Sequence, residues 1–213
     1  MHVHLVNIGR PQIILVAGRQ YSSAIRRRPV EGAAELTPLG FAGDRVSDEN
    51  VHGGPDKAVC CYPFEHYAWW RDTLGRTLAV PSFGENLTTV DMLETQVCIG
   101  DVFRIGTAEV QVTQPRMPCF KLANNLADPR AIVRIHENGF SGFYLRVLTT
   151  GAVKGADPIE RIAHPHPDLT VHLLLSLRND RNAAVPSAGR LARLPELSIS
   201  WREYFERLAA GAE

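Results

Sequence analysis

Apolar residues in the first 160 positions fall into short runs separated by glycine, proline and polar residues. "HLVNI", "IILVA", "AVCCY", "TQVCIG", "VFRIG" and "AEVQVTQ" have the length and β-branched content of strands in a largely antiparallel barrel or sandwich. The clearest pairing joins "DVFRI" to "AEVQVTQ" across Gly106 and Thr107, a hairpin in which valines and Ile105 alternate with polar positions. A helical period interrupts this texture twice. "PFEHYAWWRDTLG" has Pro63 at its entrance and Gly75 after its end, while "DPRAIVRIHENG" has Asp128 as N-cap, Pro129 in the first turn and Gly139 closing it. Beyond "ERIAHPHPDL" the period is helical again, in "LTVHLLLSLRND" and "ISWREYFERLAAG". A linker is expected at 163–168, between a β-rich unit over 1–163 and a small α-helical unit over 168–213.

Composition narrows the classes of function. With 213 residues and 45% hydrophobic content the chain can bury a full core, so one domain with a small appendage is the expectation. The 23 basic and 23 acidic residues cancel, and no overall field draws the protein to nucleic acid or to an anionic membrane. Any anion site must be local. No apolar run approaches the roughly 20 residues that span a bilayer, and "MHVHLVNIGRPQ" lacks the features of a secretory signal, so the expected location is the cytoplasm. Cys60, Cys61, Cys98 and Cys119 show no paired CxxC spacing and read as free thiols.

Candidate chemistry concentrates in "VTQPRMPCFKL". Pro115 and Pro118 stiffen the chain where it leaves a strand, which aims the Cys119 side chain. Arg116, Lys121 and the first turn of a helix starting near Pro118 all favour a thiolate, a nucleophile and a ligand for soft metals. A buried cysteine packing as a small hydrophobe has equal standing on local sequence alone. In "GDRVSDENVHGGPDKAVCCY", Gly53 and Gly54 permit a tight loop whose amides approach a ligand, with His52 and Lys57 as flanking donors suited to phosphate or another oxyanion. An ordinary polar turn fits the same residues. In "SFGENLTT", Gly84, Glu85 and Asn86 could read a ligand rich in heteroatoms, or form a plain β-turn. Cys60 and Cys61, adjacent on a strand, face opposite sides and read as packing residues. The histidines lack zinc-binding spacing, and His164 and His166 fall in the expected linker. Trp69 and Trp70 read as core and interface residues, and Arg26, Arg27 and Arg28 as a solvated loop.

"GDRVSDENVHGGPDKAVCCYPFEHYAWW", "FGENLTT", "GDVFRIGTAEVQVTQPRMPCFKL" and "GFSGFYLRVLTTGAV", in that order, resemble the MOSC family, named for the C-terminal domain of molybdenum cofactor sulfurase, and within it the YiiM-like branch. The likeness covers most of 30–162, and the tail is similar to the three-helix unit that follows MOSC in that branch. It implies a mainly β fold with inserted helices, a MOSC-type β-barrel followed by a small C-terminal three-helix domain. It implies binding of molybdenum cofactor, with Cys119 as metal ligand or sulfur-bearing residue. Arg116, Lys57 and Lys121 would neutralise phosphate and dithiolene charge, and His52, Gly53, Gly54 and Asn86 match family motifs. The implied activity is reduction of N-hydroxylated compounds, such as hydroxylaminopurine base analogues and amidoximes. No flavin or nucleotide fingerprint and no iron–sulfur cysteine set is present, so a separate electron-donor protein is expected. A low-pKa Cys119 would serve equally a sulfur carrier holding a persulfide, or a module that stores the cofactor.

Overall fold

The computed structural model describes residues 1–48 and 52–211. Its strands are β1 (His2–Ile8), β2 (Gln12–Val16), β3 (Arg19–Ser23), β4 (Arg28–Pro29), β5 (Ala34–Thr37), β6 (Gly40–Phe41), β7 (Val59–Pro63), β8 (Leu87–Val90), β9 (Val102–Ile105), β10 (Ala108–Pro115), β11 (Phe143–Thr149), β12 (Gly151–Val153) and β13 (Ile159–Ala163). The helices are α1 (His66–Leu74), α2 (Phe120–Asn125), α3 (Ala131–Asn138), α4 (Val171–Asn179), α5 (Arg181–Leu191) and α6 (Ile199–Ala209).

One eight-stranded sheet forms the frame, in the order β13-β9-β10-β11-β7-β8-β1-β4. All its pairings are antiparallel except β7 with β8. The fold is mainly β with helices, as expected, but the ladder is not a fully closed barrel. An isolated bridge, His2–Pro158, joins β1, the strand next to the β4 edge, to the segment entering β13, with Val3 N donating to Asp157 O at 2.9 Å and Ala156 N to Val3 O at 2.8 Å. The β9–β10 hairpin forms as its alternation predicts, with Ala108 opposite Ile105 and Gly106 at φ 57°.

"TQVCIG" departs from the strand expectation. Val97, Cys98 and Ile99 are buried, yet the segment is a run of turns, in which Asp101 Oδ2 takes Cys98 N at 3.0 Å and Gly100 has φ +85°. Burial from every side selects apolar residues regardless of backbone period. Helix ends were also shifted: Pro63 closes β7 rather than opening α1, and the N-cap of α3 is Arg130, with Asp128 Oδ1 accepting Arg130 N from just outside. Gly75 and Gly139 close α1 and α3 in the left-handed conformation that glycine adopts without a Cβ penalty.

Two apolar clusters hold the molecule. The larger joins sheet residues such as Val97, Phe103, Val110, Val112 and Leu145 to Leu174, Leu191, Trp201 and Phe205 of the tail. The smaller packs α1, α2 and α3 around Tyr62, Trp70, Phe83, Leu122 and Ile135. Tyr62 stacks on Phe83 at 3.9 Å and accepts a hydrogen bond from Trp70 Nε1 at 2.8 Å. Leu122 and Leu126, both fully buried here, anchor α2 and so fix the residue that precedes it, Cys119. No helix among the described residues is long and apolar enough to cross a membrane.

Candidate functional site

A cavity of about 560 Å³ opens where β10 runs into α2, walled by the loop before β7, the start of β8 and the segment after β3. His52, Gly53, Gly54, Lys57, Asn86, Arg116, Cys119 and Lys121, widely separated in sequence, all line it. Their convergence follows from the ladder. Pro115, the last residue of β10, pairs with Phe143 of β11, and Arg116 N donates to Gly142 O at 3.0 Å, so the chain turns inward where the pairing ends. Gly142 is itself held from below: Glu94 Oε1 accepts its amide at 2.7 Å, and Glu94 Oε2 lies 2.7 Å from His66 Nε2 on α1. Two residues past Met117, Cys119 takes an extended conformation at the N-cap of α2, partly open to the cavity.

Arg116 dominates the electrostatics. It is only 7% exposed, and no carboxylate among the described residues pairs with its guanidinium. Burial alone would lower its pKa, but Cys60, Tyr144, Cys119 and Glu85 around it raise it on balance. A buried guanidinium without a counter-ion is costly, and an anion in the cavity offsets that cost. His52 reports the same field: burial lowers its pKa, and Arg116, Lys121 and Lys57 push it lower still against Asp48. Burial also lowers the pKa of Lys57. Gly53 and Gly54 both have φ +81°; a Cβ on Gly53 would meet Val46 at 3.1 Å, while Gly54 faces open space. Lys121 Nζ is anchored by Ser22 O at 2.8 Å.

Other residues depart from their sequence reading. Arg27 is not part of a solvated run; Arg26 and Arg28 are exposed, but the Arg27 side chain is 8% exposed and bonds both oxygens of Asp44, at 3.0 and 2.8 Å. Asp44 also takes Gly9 N at 2.7 Å and Asn86 Nδ2 at 2.9 Å. The Asn86 amide is committed in full, since its Oδ1 accepts Cys60 N at 3.1 Å. Asn86 therefore shapes the cavity wall through protein partners. Glu85 points away into the smaller core, where Tyr67 Oη donates to it at 2.6 Å and Phe83 N at 2.9 Å. Cys61 is a core residue, whereas Cys60, its thiol held protonated by burial, reaches the cavity.

Sequence reasoning missed Arg27, Asp44, Cys60 and Tyr144 as cavity residues. Tyr144 sits opposite Cys60 in the β7–β11 ladder, so strand alternation could have placed the two on one face once that pairing was known. Outside the cavity, Cys98, Asp101 and His164 bring ligand-type atoms within 4.8 Å of one another, but Asp101 already holds His164 Nδ1 at 2.6 Å and Arg161 Nε at 3.3 Å. That set reads as an ion network tying the linker to the sheet.

Comparison with known proteins places the chain in a family. Residues 48–160 match the MOSC domain family model. The chain is 38% identical over 200 residues to the YflK protein of Bacillus subtilis (strain 168), covering 94% of this chain and 90% of that one. It is 36% identical over 189 residues to the YiiM protein of Escherichia coli (strain K12), covering 87% and 84%. A protein named Reductase from Gibberella moniliformis is 32% identical over 84% of this chain, which spans 32% of that longer protein. The crystal structure of YiiM from Geobacillus stearothermophilus superposes with a TM-score of 0.82 at 32% identity, covering 97% of this chain and 98% of that one. The chain belongs to the MOSC domain family and is a YiiM-like member of it.

Proposed function

We propose that this protein binds molybdenum cofactor in the cavity and reduces N-hydroxylated compounds with electrons from a separate donor protein. Arg116 carries the reading: a buried guanidinium without a carboxylate partner among the described residues, facing the same space as Cys119. MOSC domains are a molybdenum-cofactor-binding family, and a relative named as a reductase supports redox chemistry. The donor set fits the group. The Cys119 sulfur is a soft ligand, Arg116, Lys57 and Lys121 meet anionic oxygens, and Gly53 and Gly54 let backbone amides approach without a Cβ between.

The cofactor, when bound, supplies the two-electron redox centre. The net reaction takes R–NHOH, two electrons and two protons to R–NH2 and water, breaking the N–O bond. The chain's own groups orient substrate and manage protons. Tyr144, whose pKa burial raises, keeps its Oη proton and offers a donor inside the cavity. His52, held neutral near pH 7 by burial and the cations around it, carries the chemistry to accept a proton at one ring nitrogen and donate one from the other.

The test is elemental analysis of gently purified protein, followed by an anaerobic assay with a chemical reductant and a hydroxylamine. Bound molybdenum with turnover is the expected result, and Cys119→Ser, which swaps a soft sulfur for a hard oxygen in a side chain of similar size, should fold normally and fall to background. A protein persulfide without molybdenum would replace this reading with a sulfur carrier. Parental turnover in Cys119→Ser would remove Cys119 from the metal.

A further inference from the structure

The turn that carries Lys57 is tied to the C-terminal helices by its neighbour in sequence. Asp56 lies between Gly54 and Lys57 in a single 3-10 turn, Pro55–Lys57. Its Oδ2 accepts Ile199 N at 2.9 Å, at the start of α6, and its Oδ1 lies 2.8 Å from Arg146 NH2 on β11. Helix α6 lacks a side-chain cap of its own, since the Ser198 hydroxyl at the N-cap lies 3.4 Å from Ser200 Oγ and bonds no amide of the first turn. A carboxylate from 143 positions earlier takes that place, satisfying an amide that the helix leaves unpaired and complementing its dipole. Further bonds close the circuit. Thr113 Oγ1 on β10 donates to Asp56 O at 2.6 Å, Thr113 O accepts Ser198 N at 3.2 Å, and Arg146 NH1 donates to Pro195 O at 3.1 Å.

We infer that the helical tail is a working part of the anion clamp, with Asp56 as the positioning residue through which α6 holds the Lys57 turn against the cavity. The inference rests on the oxyanion reading of the cavity. Its sign is distinctive. Asp56 is an anion beside an anion site, so losing its charge, taken alone, tightens anion binding; losing its hold on α6 lets the turn drift and weakens it.

Two substitutions separate these effects. Asp56→Ala removes charge and contacts together, whereas Asp56→Asn removes the charge but keeps one acceptor oxygen for Ile199 N or Arg146. With sulfate as the probe in calorimetric titration, Asp56→Ala should bind about ten-fold more weakly than the parent protein, with Asp56→Asn between them. Equal tightening in both would overturn the inference and leave a purely electrostatic role. Amide hydrogen exchange supplies a readout that needs no ligand. Trp201→Ala, which loosens α6 from the core side, should speed exchange of the Lys57 amide, which bonds Gly54 O at 3.0 Å. Unchanged exchange at that amide would sink the coupling even if sulfate binds. Absence of sulfate binding in the parent protein would count against the oxyanion reading, while exchange would still decide the coupling.

Discussion

Among single residues, His52 gives the cavity a pH signature whose sign can be worked out. Its folded pKa lies below the ordinary 6.5, by burial first and then by Arg116, Lys121 and Lys57. A histidine depressed on folding contributes stability that is intact above about pH 6.5 and lost as pH falls through its lowered value, because the unfolded chain binds the proton first. An anion among the three cations works against their effect and raises the His52 pKa. By linkage, the anion must then bind more tightly as pH falls toward the lowered pKa that His52 has in the anion-free cavity. Sulfate does not titrate in this range, so its affinity isolates the protein's own proton. Calorimetric titrations at a series of pH values should show sulfate affinity rising on the acid side in the parent protein and a flatter profile in His52→Gln. Superimposable profiles would mean that His52 does not sense the ligand.

At the level of elements, the cavity depends on where glycine lets backbones meet. Gly54 and Gly142 both have positive φ, +81° and +68°, and Gly54 with ψ 171° lies in an extended region that is essentially restricted to glycine, so alanine at either carries a backbone penalty of roughly 1–3 kcal/mol. They differ in what a Cβ would meet. At Gly54 there is open space, whereas at Gly142 the new atom would fall on the carbonyl oxygen of Cys61, which cannot retreat without opening the β7–β11 ladder. Gly142→Ala should therefore destabilise clearly more than Gly54→Ala in denaturant titrations, and equal losses would show that the ladder yields. The same distinction explains what was legible in the sequence. The β9–β10 hairpin and helices α1, α3, α4 and α6 announced themselves by local period and turn residues, and proline stiffness marked the Cys119 loop. "TQVCIG" misled because burial on all sides gives a turn segment the apolar run of a strand, and α5 was passed over because "RNAAVPSAGRL" is short of large apolar residues and carries Pro186. Arg27 looked solvated because its partner, Asp44, lies 17 positions away and is brought near only by the fold.

For the whole molecule, the question is whether sheet and tail behave as one body. The sequence texture changes at 163–168, and α4, α5 and α6 all follow it. Yet the larger apolar cluster is continuous across that boundary, with Leu174, Leu191, Trp201 and Phe205 packed in the same core as Val97, Val112 and Leu145. Polar contacts cross it as well: Ser198 N donates to Thr113 O at 3.2 Å, Ile99 N donates to Leu169 O at 2.9 Å, and Asp56 caps α6. Each large side chain exposed by separating the two parts would cost about 1.5–3 kcal/mol, so a few of them together match the 5–15 kcal/mol that holds a domain folded. On this reckoning, opening the tail alone costs nearly as much as unfolding the whole. Native-state hydrogen exchange should accordingly give the slowest amides of α6 and of β10 the same opening free energy and the same dependence on denaturant. A chain ending at residue 165 should show a lower melting temperature and bind a hydrophobic dye on the uncovered face of the sheet. If the α6 amides opened several kcal/mol below those of β10, the tail would be an independently unfolding unit, and its hold on the Lys57 turn could be released without unfolding the site.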